Sequence, residues 1–312
     1  MIVVLGSINL DLVARVERLP RAGETLSATG FATSPGGKGA NQALAARRAG
    51  ADVALFGAVG RDGFGHDATR LLHADGVHVA VREVPGATTG VALIHVDREG
   101  ENCITVVAGA NAGVRDGDVP QALLGRATTV LLQLETPEHA SLALARRGRT
   151  SGARVVLNAA PAAAIDPAWP ALLDVLVVNE SECERLATVL DVSGESGAFV
   201  RTLARRHRML ACVTLGARGA IAADGDHVYQ VPGLAVDAID TVGAGDAFVG
   251  VLAASLDANA PTPRSLARAA VAGALACTRE GAQTSLPLSE DIAPHAMTLE
   301  SRIAVTPLEC RS

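Results

Sequence analysis

The sequence predicts an α/β protein built on a mainly parallel sheet, with a small separate β unit. Three observations predict it. Short, largely apolar runs recur at residues 2–5, 130–134, 155–157, 175–178 and 211–215, and each stops at a polar or glycine tip. Strands that are apolar on both faces belong to sheets covered by helices on both sides. Helical periodicity then appears at residues 44–49, from Pro137 to about Arg147, at 247–256 and at about 265–278. Finally, strand-like segments at 24–33, 91–96 and 103–107 interrupt the α/β rhythm, the last two flanking a turn-rich loop of hairpin length, Asp97-Arg98-Glu99-Gly100-Glu101-Asn102.

Composition narrows the class of partner. The chain has 312 residues, 49% of them hydrophobic, enough to fill a substantial core. No internal repeat or long linker divides it, so residues 1–312 read as one domain. A formal charge of −6 argues against a nucleic-acid or anionic-membrane partner, which a basic surface would serve, and leaves small molecules. The five cysteines are odd in number and far apart, with no Cys-x-x-Cys pair, so neither a zinc site nor a complete disulfide framework is indicated and a reducing cytoplasm fits. No stretch reaches the ~18 uncharged apolar residues of a membrane helix. The opening apolar run lacks a basic leader and meets Asp11 early, so it reads as a strand and not a signal peptide.

Taken in order, the first strand ends in Gly6-Ser7, and Asn9 and Asp11 fall just past its carboxyl end, where open α/β sheets take ligands. Turn chemistry is the plainer account of those two residues. The segments at about 12–35 and 88–109 form a small β lid of the kind that closes over a substrate. Between them Ser34-Pro35-Gly36-Gly37-Lys38-Gly39-Ala40-Asn41-Gln42-Ala43 opens a helix at about Leu44. It is not a Walker A loop, since Ala32 holds the first glycine position and Gly39 follows Lys38. The glycines permit close backbone approach to a ligand, with Lys38 and Asn41 as donors, although an exposed lysine in a flexible turn fits the same pattern.

From residue 128 onward, strand after strand ends in a polar or glycine tip: Glu135, Asn158, Asn179 with Glu182, then Thr214 with Gly216. Repetition of such tips along one sheet edge describes a ligand crevice. Residues 220–223 and 228–231 flank Asp224-Gly225-Asp226-His227, a hairpin signal. The stretch Asp240-Thr241-Val242-Gly243-Ala244-Gly245-Asp246 then precedes a helix whose Phe248, Leu252 and Leu256 share a face. Glycines at a helix N-terminus make an anion site. Asp246 would repel that anion unless it takes a proton from an attacking hydroxyl, and ordinary compensation of the helix dipole is the alternative. A further helix ends near Gly281, and after Pro287 the pattern decays into a partly helical, partly loose tail.

Gly36-Gly37-Lys38-Gly39-Ala40-Asn41-Gln42-Ala43 and Asp240-Thr241-Val242-Gly243-Ala244-Gly245-Asp246 resemble the two signature motifs of the PfkB sugar kinases, with the ribokinase branch most similar. Val4-Leu5-Gly6-Ser7-Ile8-Asn9-Leu10-Asp11, Thr89-Gly90-Val91, Asn179-Glu180-Ser181-Glu182, Thr214-Leu215-Gly216-Ala217-Arg218-Gly219 and Gly281-Ala282-Gln283 follow that branch in the expected order. The resemblance implies a three-layer α/β/α body with a β lid and a homodimer whose lids pack together. It also implies phosphorylation of D-ribose by ATP, with Mg²⁺ accompanying the nucleotide and K⁺ as activator. By the same resemblance Asn9, Asp11, Gly37, Asn41 and Glu135 bind the sugar, with Lys38 nearby. Asp246 is the base, and Gly243, Ala244 and Gly245 supply the anion hole. Asn179 and Glu182 associate with magnesium and phosphate, Thr214 and Gly216 lie on the nucleotide side, and Asp240, Val242, Ala276, Gly281 and Ser285 hold the monovalent cation. Kinases of deoxyribose, fructose or adenosine, and a non-catalytic sugar sensor, are the alternatives. A dehydrogenase is disfavoured because Gly6-Ser7-Ile8-Asn9 does not continue as Gly-x-Gly-x-x-Gly.

Overall fold

A computed structural model describes residues 1–162 and 165–308 of the chain. The amino-terminal half supplies β1 (Ile2–Leu5), β2 (Asn9–Arg15), β3 (Gly30–Gly36), α1 (Lys38–Arg48), β4 (Val53–Val59), α2 (Gly63–Ala74), β5 (His78–Glu83), β6 (Gly90–Val96) and β7 (Asn102–Val107). Then follow β8 (Thr129–Leu132), α3 (Glu138–Ser151), β9 (Arg154–Asn158), β10 (Val175–Asn179), α4 (Glu180–Leu190), α5 (Ser196–His207), β11 (Leu210–Thr214), β12 (Gly219–Ala223) and β13 (His227–Pro232). The chain ends with α6 (Ala244–Asp257), α7 (Thr262–Ala276), α8 (Ala282–Ser285), α9 (Ser289–Glu300) and β14 (Ala304–Pro307).

The large sheet runs β14-β13-β12-β11-β10-β9-β8-β1-β4-β5, parallel from β5 to β11 and antiparallel from β11 to β14. The alternation within β1 shows why its run is unbroken. Ile2 and Val4 join a core with residues of α1, α2, α6, α7 and α9, while Val3 and Leu5 join a second core with α3, α4 and α5. Both faces are covered, which gives three layers and bears out the predicted fold class. β1 lies between β4, which comes before the later strands, and β8, from which the order runs outward the other way. Such a reversal opens a crevice beyond the carboxyl ends of the strands. No helix of the described residues is long and apolar enough to cross a membrane.

The small sheet has the order β3-β2-β6-β7. Its strand β2 was not anticipated: Asn9 and Asp11 are not turn residues but lie on this strand, whose polar positions alternate with Leu10 and Leu12. The segment 24–33 is strand only from Gly30, and β3 continues to Gly36, tolerating Pro35 because it pairs with β2 alone. Phe31 and Leu93 are exposed on one face of this sheet and Ile104 and Val106 on the other, so no single apolar stripe marks it in the sequence.

Three further departures concern helices and the tail. α1 begins at Lys38, six residues before the first apolar signal, so Lys38 and Asn41 sit in its opening turn and not in a loop. The elements β4, α2 and β5, and the helices α4 and α5, went unread although their apolar runs are clear. Between Leu288 and Leu308 the expected helical part is α9, which packs on α7, but the part expected to be loose contains β14, which pairs antiparallel with β13 in a four-residue strand too short and exposed to leave a periodic signal. Residues 309–312, with Cys310, lie outside the described residues.

Candidate active site

The reversal point places the tips of β1 and β8 side by side, and their side chains tie down the start of α1. Ser7 Oγ donates to Glu135 Oε2 at 2.6 Å and accepts from the Gly39 amide at 3.2 Å. The Lys38 amide donates to the same glutamate oxygen at 3.0 Å. Gly37 makes this junction possible: its φ of 89° suits glycine, and a Cβ there would stand 2.8 Å from Asn9 N and 2.9 Å from Ser7 O.

Four carboxylates, Asp11, Glu135, Asp246 and Glu182, and one ammonium interact here. Burial first, then Glu135 and Asp246, push the Asp11 carboxyl from 3.8 up to about 7. The Lys38 ammonium is held above its ordinary value, chiefly by Asp246 and further by Glu135 and Glu182, against the lowering effect of burial. Burial raises Glu182, opposed by the Asn179 amide and Lys38 and assisted by Asp246. Lys38 is thus the common counter-charge of Asp246, Glu135 and Glu182.

Asp246, in the first turn of α6 and 7% exposed, accepts one side-chain bond at each oxygen: Asn41 Nδ2 to Oδ2 at 2.8 Å and Gln42 Nε2 to Oδ1 at 2.8 Å. Asn41, expected to face only a sugar, therefore also aims its amide at Asp246, and its Oδ1 is buried without a partner. Asn9 is fixed differently. Asn111 accepts from Ile8 N at 3.0 Å and donates to Ile8 O at 3.1 Å and to Asn9 Oδ1 at 2.7 Å. The Ile8 backbone sets which way the Asn111 amide points, and Asn111 in turn leaves the Nδ2 of Asn9 without a partner among the described residues. Gly90, opposite Asn9 in the register of β2 and β6, is what this pair requires, since a Cβ there would overlap both Asn9 Oδ1 and Asn111 Nδ2.

Along the sheet edge Asn179 and Thr214 are register partners at the ends of β10 and β11. Asn179 and Glu182 cap α4 reciprocally, Asn179 Oδ1 accepting from Glu182 N at 2.8 Å and Glu182 Oε2 accepting from Asn179 N at 2.8 Å. Gly216 has open space where its Cβ would lie, as does Gly245 at the start of α6. Of the three glycine-loop amides, that of Ala244 is engaged by Thr241 O at 3.3 Å, whereas Gly245 sits in the first turn, whose amides lack intrahelical acceptors. Asp240 joins two separated segments, accepting from Val242 N at 3.0 Å and Gly281 N at 2.8 Å. Ser285 instead donates to Ala282 O at 2.9 Å, and Ala276 is buried in α7. In the same segment the fully buried Gln283 has neither amide atom bonded.

The structure therefore brings Asn9, Asp11, Gly37, Lys38, Asn41, Glu135 and Asp246 into one crevice, with Glu182 electrostatically linked to it and Asn179, Thr214 and Gly216 along the edge. Ser7, Gln42, Asn111 and Gln133 were not singled out from the sequence. Gln133 carried a signal, being a polar residue inside the apolar run 130–134, which implies a buried partner.

The pfkB family carbohydrate kinase pattern matches residues 1–289. The chain is 37% identical to a mouse (Mus musculus) ribokinase over 303 residues, covering 93% of each chain. It is 34% identical to a Salmonella typhi deoxyribokinase over 294 residues, covering 93% of this chain and 96% of that one. The solved structure of Arabidopsis thaliana ribokinase complexed with ribose and ATP superposes with a TM-score of 0.84 at 30% identity, covering 95% of this chain and 98% of that one.

Proposed function

The chain belongs to the pfkB family of carbohydrate kinases, and from that premise we propose that it transfers the γ-phosphoryl group of ATP to D-ribose, giving D-ribose 5-phosphate and ADP. The observation that carries this reading is the placement of Asp246. It is a buried carboxylate at a glycine-opened helix N-terminus, bonded by Asn41 and Gln42 and facing Lys38. Asp246 takes the proton of the sugar hydroxyl as that oxygen attacks. The Gly245 amide, with Gly243 and Ala244 beside it and the α6 dipole behind, meets the charge that spreads over the transferring phosphoryl oxygens. Glu135, Asp11 and Asn41 Oδ1 accept from sugar hydroxyls, and Asn9 donates through the Nδ2 that Asn111 leaves free.

ATP lies along Asn179, Thr214 and Gly216. Among the described residues no cluster of three acidic, histidine or cysteine side chains exists to cage a metal. One buried carboxylate, Glu182, fits the usual habit of Mg²⁺, which is held mainly by nucleotide phosphates and water. When bound it neutralises charge on the β- and γ-phosphates. Exposed apolar side chains on both faces of the small sheet, Phe31 and Leu93 on one and Ile104 and Val106 on the other, support a homodimer through that sheet acting as a lid; a monomer by light scattering at assay concentration would refute it. The enzyme works in the cytoplasm.

The test is ADP release across pentoses, hexoses and nucleosides. Ribose is expected to give the highest kcat/KM. 2-Deoxyribose is expected to be about tenfold or more weaker, because a missing hydroxyl leaves a buried polar group unpaired. Equal values would shift the assignment to a deoxyribokinase, a relative of which matches at 34% identity. Sugar binding without turnover would favour a sensor.

Asp11 adds a pH dependence. Its carboxyl titrates at about 7 in the free site, so below that pH it is protonated and a weaker acceptor for sugar hydroxyls. We expect kcat/KM for ribose to climb up to about tenfold per pH unit below 7 and to level off above it. Asp11→Asn should flatten that limb, and an unaltered limb in the variant would assign it elsewhere.

A monovalent cation held by the Asp240, Val242 and Gly281 region, with Ala276 and Ser285, orders the loop into Gly243. The unsatisfied Gln283 in the same segment supports an unassigned ion or water there. Replacing potassium by tetramethylammonium at fixed ionic strength should lower kcat several-fold; identical rates would remove the cation.

A further inference from the structure

We infer that Gln42 and Gln133, which no part of the sugar or nucleotide reading uses, are positioning residues that aim the Asp246 carboxylate. This rests on the reading of Asp246 as base. The starting point is a backbone carbonyl. Val177 O can only accept, and it takes Asn158 Nδ2 at 3.1 Å, which turns Asn158 Oδ1 toward α1. Gln42 Nε2 then donates one hydrogen to Asn158 Oδ1 at 2.9 Å and the other to Asp246 Oδ1 at 2.8 Å. Its own Oε1 is left facing β8, where Gln133 Nε2 donates to it at 2.7 Å. Every amide in the chain is thereby oriented from one main-chain atom of β10, with no free choice of flip at Gln42.

Burial makes this arrangement exacting. Gln42 and Gln133 are both 0% exposed, so neither can exchange its partner for water. The space for the Gln133 carboxamide comes from Gly6 at the end of β1, where a Cβ would overlap Gln133 Oε1. With Gln42 on Oδ1 and Asn41 on Oδ2, the plane of the carboxylate is set from two sides, and each oxygen keeps a second lone pair for the incoming hydroxyl. An inverted Gln42 would set oxygen against oxygen at Asp246 and leave Asn158 without its donor.

The experiment is Gln42→Met and Gln133→Met, close in volume and unable to hydrogen-bond, measured with ribose and ATP and then repeated in the Asp246→Asn background. The expected result is kcat lower by ~10- to 100-fold for Gln42→Met and by about 3- to 10-fold for Gln133→Met, with both KM values within about threefold, since misplacement of a reacting group acts on the chemical step. In the Asp246→Asn background either substitution should change the residual rate by less than about twofold, because nothing is left to aim. Losses of the same factor in both backgrounds would overturn the inference, as would a raised sugar KM at unchanged kcat. A lowered Tm with normal kcat in the folded fraction would show a structural role and overturn it as well. If Asp246→Asn itself retains the parental rate, the base reading falls first, and the two failures are told apart by that single variant.

Discussion

Asp246→Asn is expected to lower kcat by about 10²–10⁴-fold while ribose and ATP still bind, the range typical of removing a general base. The substitution keeps the shape of the side chain and removes its charge and one of its two acceptor atoms. Of the two bonds at Asp246, asparagine can retain the one from Gln42, whose direction is fixed through Asn158, while Asn41 must turn over so that its otherwise unpartnered Oδ1 accepts from the new amide and its Nδ2 faces the sugar instead. A few-fold change in ribose KM is therefore expected beside the much larger loss in kcat. Lys38 also loses the largest of its three acidic partners, although Glu135 and Glu182 remain to hold its charge. Titration calorimetry should show sugar affinity within about tenfold of the parent. Turnover within a few-fold of the parent would show that the hydroxyl proton leaves by another route.

The large-scale fold was readable because its strands are buried on both faces. The runs at 2–5, 175–178 and 211–215 need no periodicity to be recognised, and each delivered its carboxyl tip to the crevice as expected. What escaped were elements whose residues answer to the site more than to the core. β2 reads as a turn because Asn9 and Asp11 interrupt it, and they do so because they line the crevice. The opening of α1 reads as a loop because Gly37 and Gly39 are needed for contact with Ser7, and the opening helical turn that follows offers no apolar stripe. The polar network was hidden for another reason. A bond such as Gln133 to Gln42 joins positions 91 residues apart, and neither partner marks the other in the sequence. The site residues cited for sugar and phosphate came from ordered motifs, whereas the groups that orient them become visible only when the strands are laid side by side.

Gly90→Ala is expected to raise the ribose KM by about 10- to 100-fold with kcat at saturating sugar within several-fold of the parent. The added methyl would overlap Asn9 Oδ1 and Asn111 Nδ2 and stand 2.9 Å from Ile8 O, so the 2.7 Å bond between the two asparagines cannot survive. Asn9 then loses the partner that turns its Nδ2 toward the sugar. The cost of one misdirected buried hydrogen bond is about 1–3 kcal/mol, and tenfold in affinity is about 1.4 kcal/mol, which sets the expected range. Because Gly90 begins β6 beside Asn9, strain in the small sheet could mimic this effect. Asn111→Asp separates the two. It adds no volume and keeps the oxygen that accepts from Ile8 N, but it replaces the donor facing Asn9 Oδ1 and Ile8 O with an acceptor. Asn9 must then turn over and present its carbonyl to the ligand. Both variants should share the rise in KM, whereas Gly125→Ala, where a Cβ meets open space, should leave KM unchanged. A normal ribose KM in both Gly90→Ala and Asn111→Asp would mean that Asn9 does not read the sugar through its amide hydrogens, and the polarity assigned to that side of the site would have to be reversed.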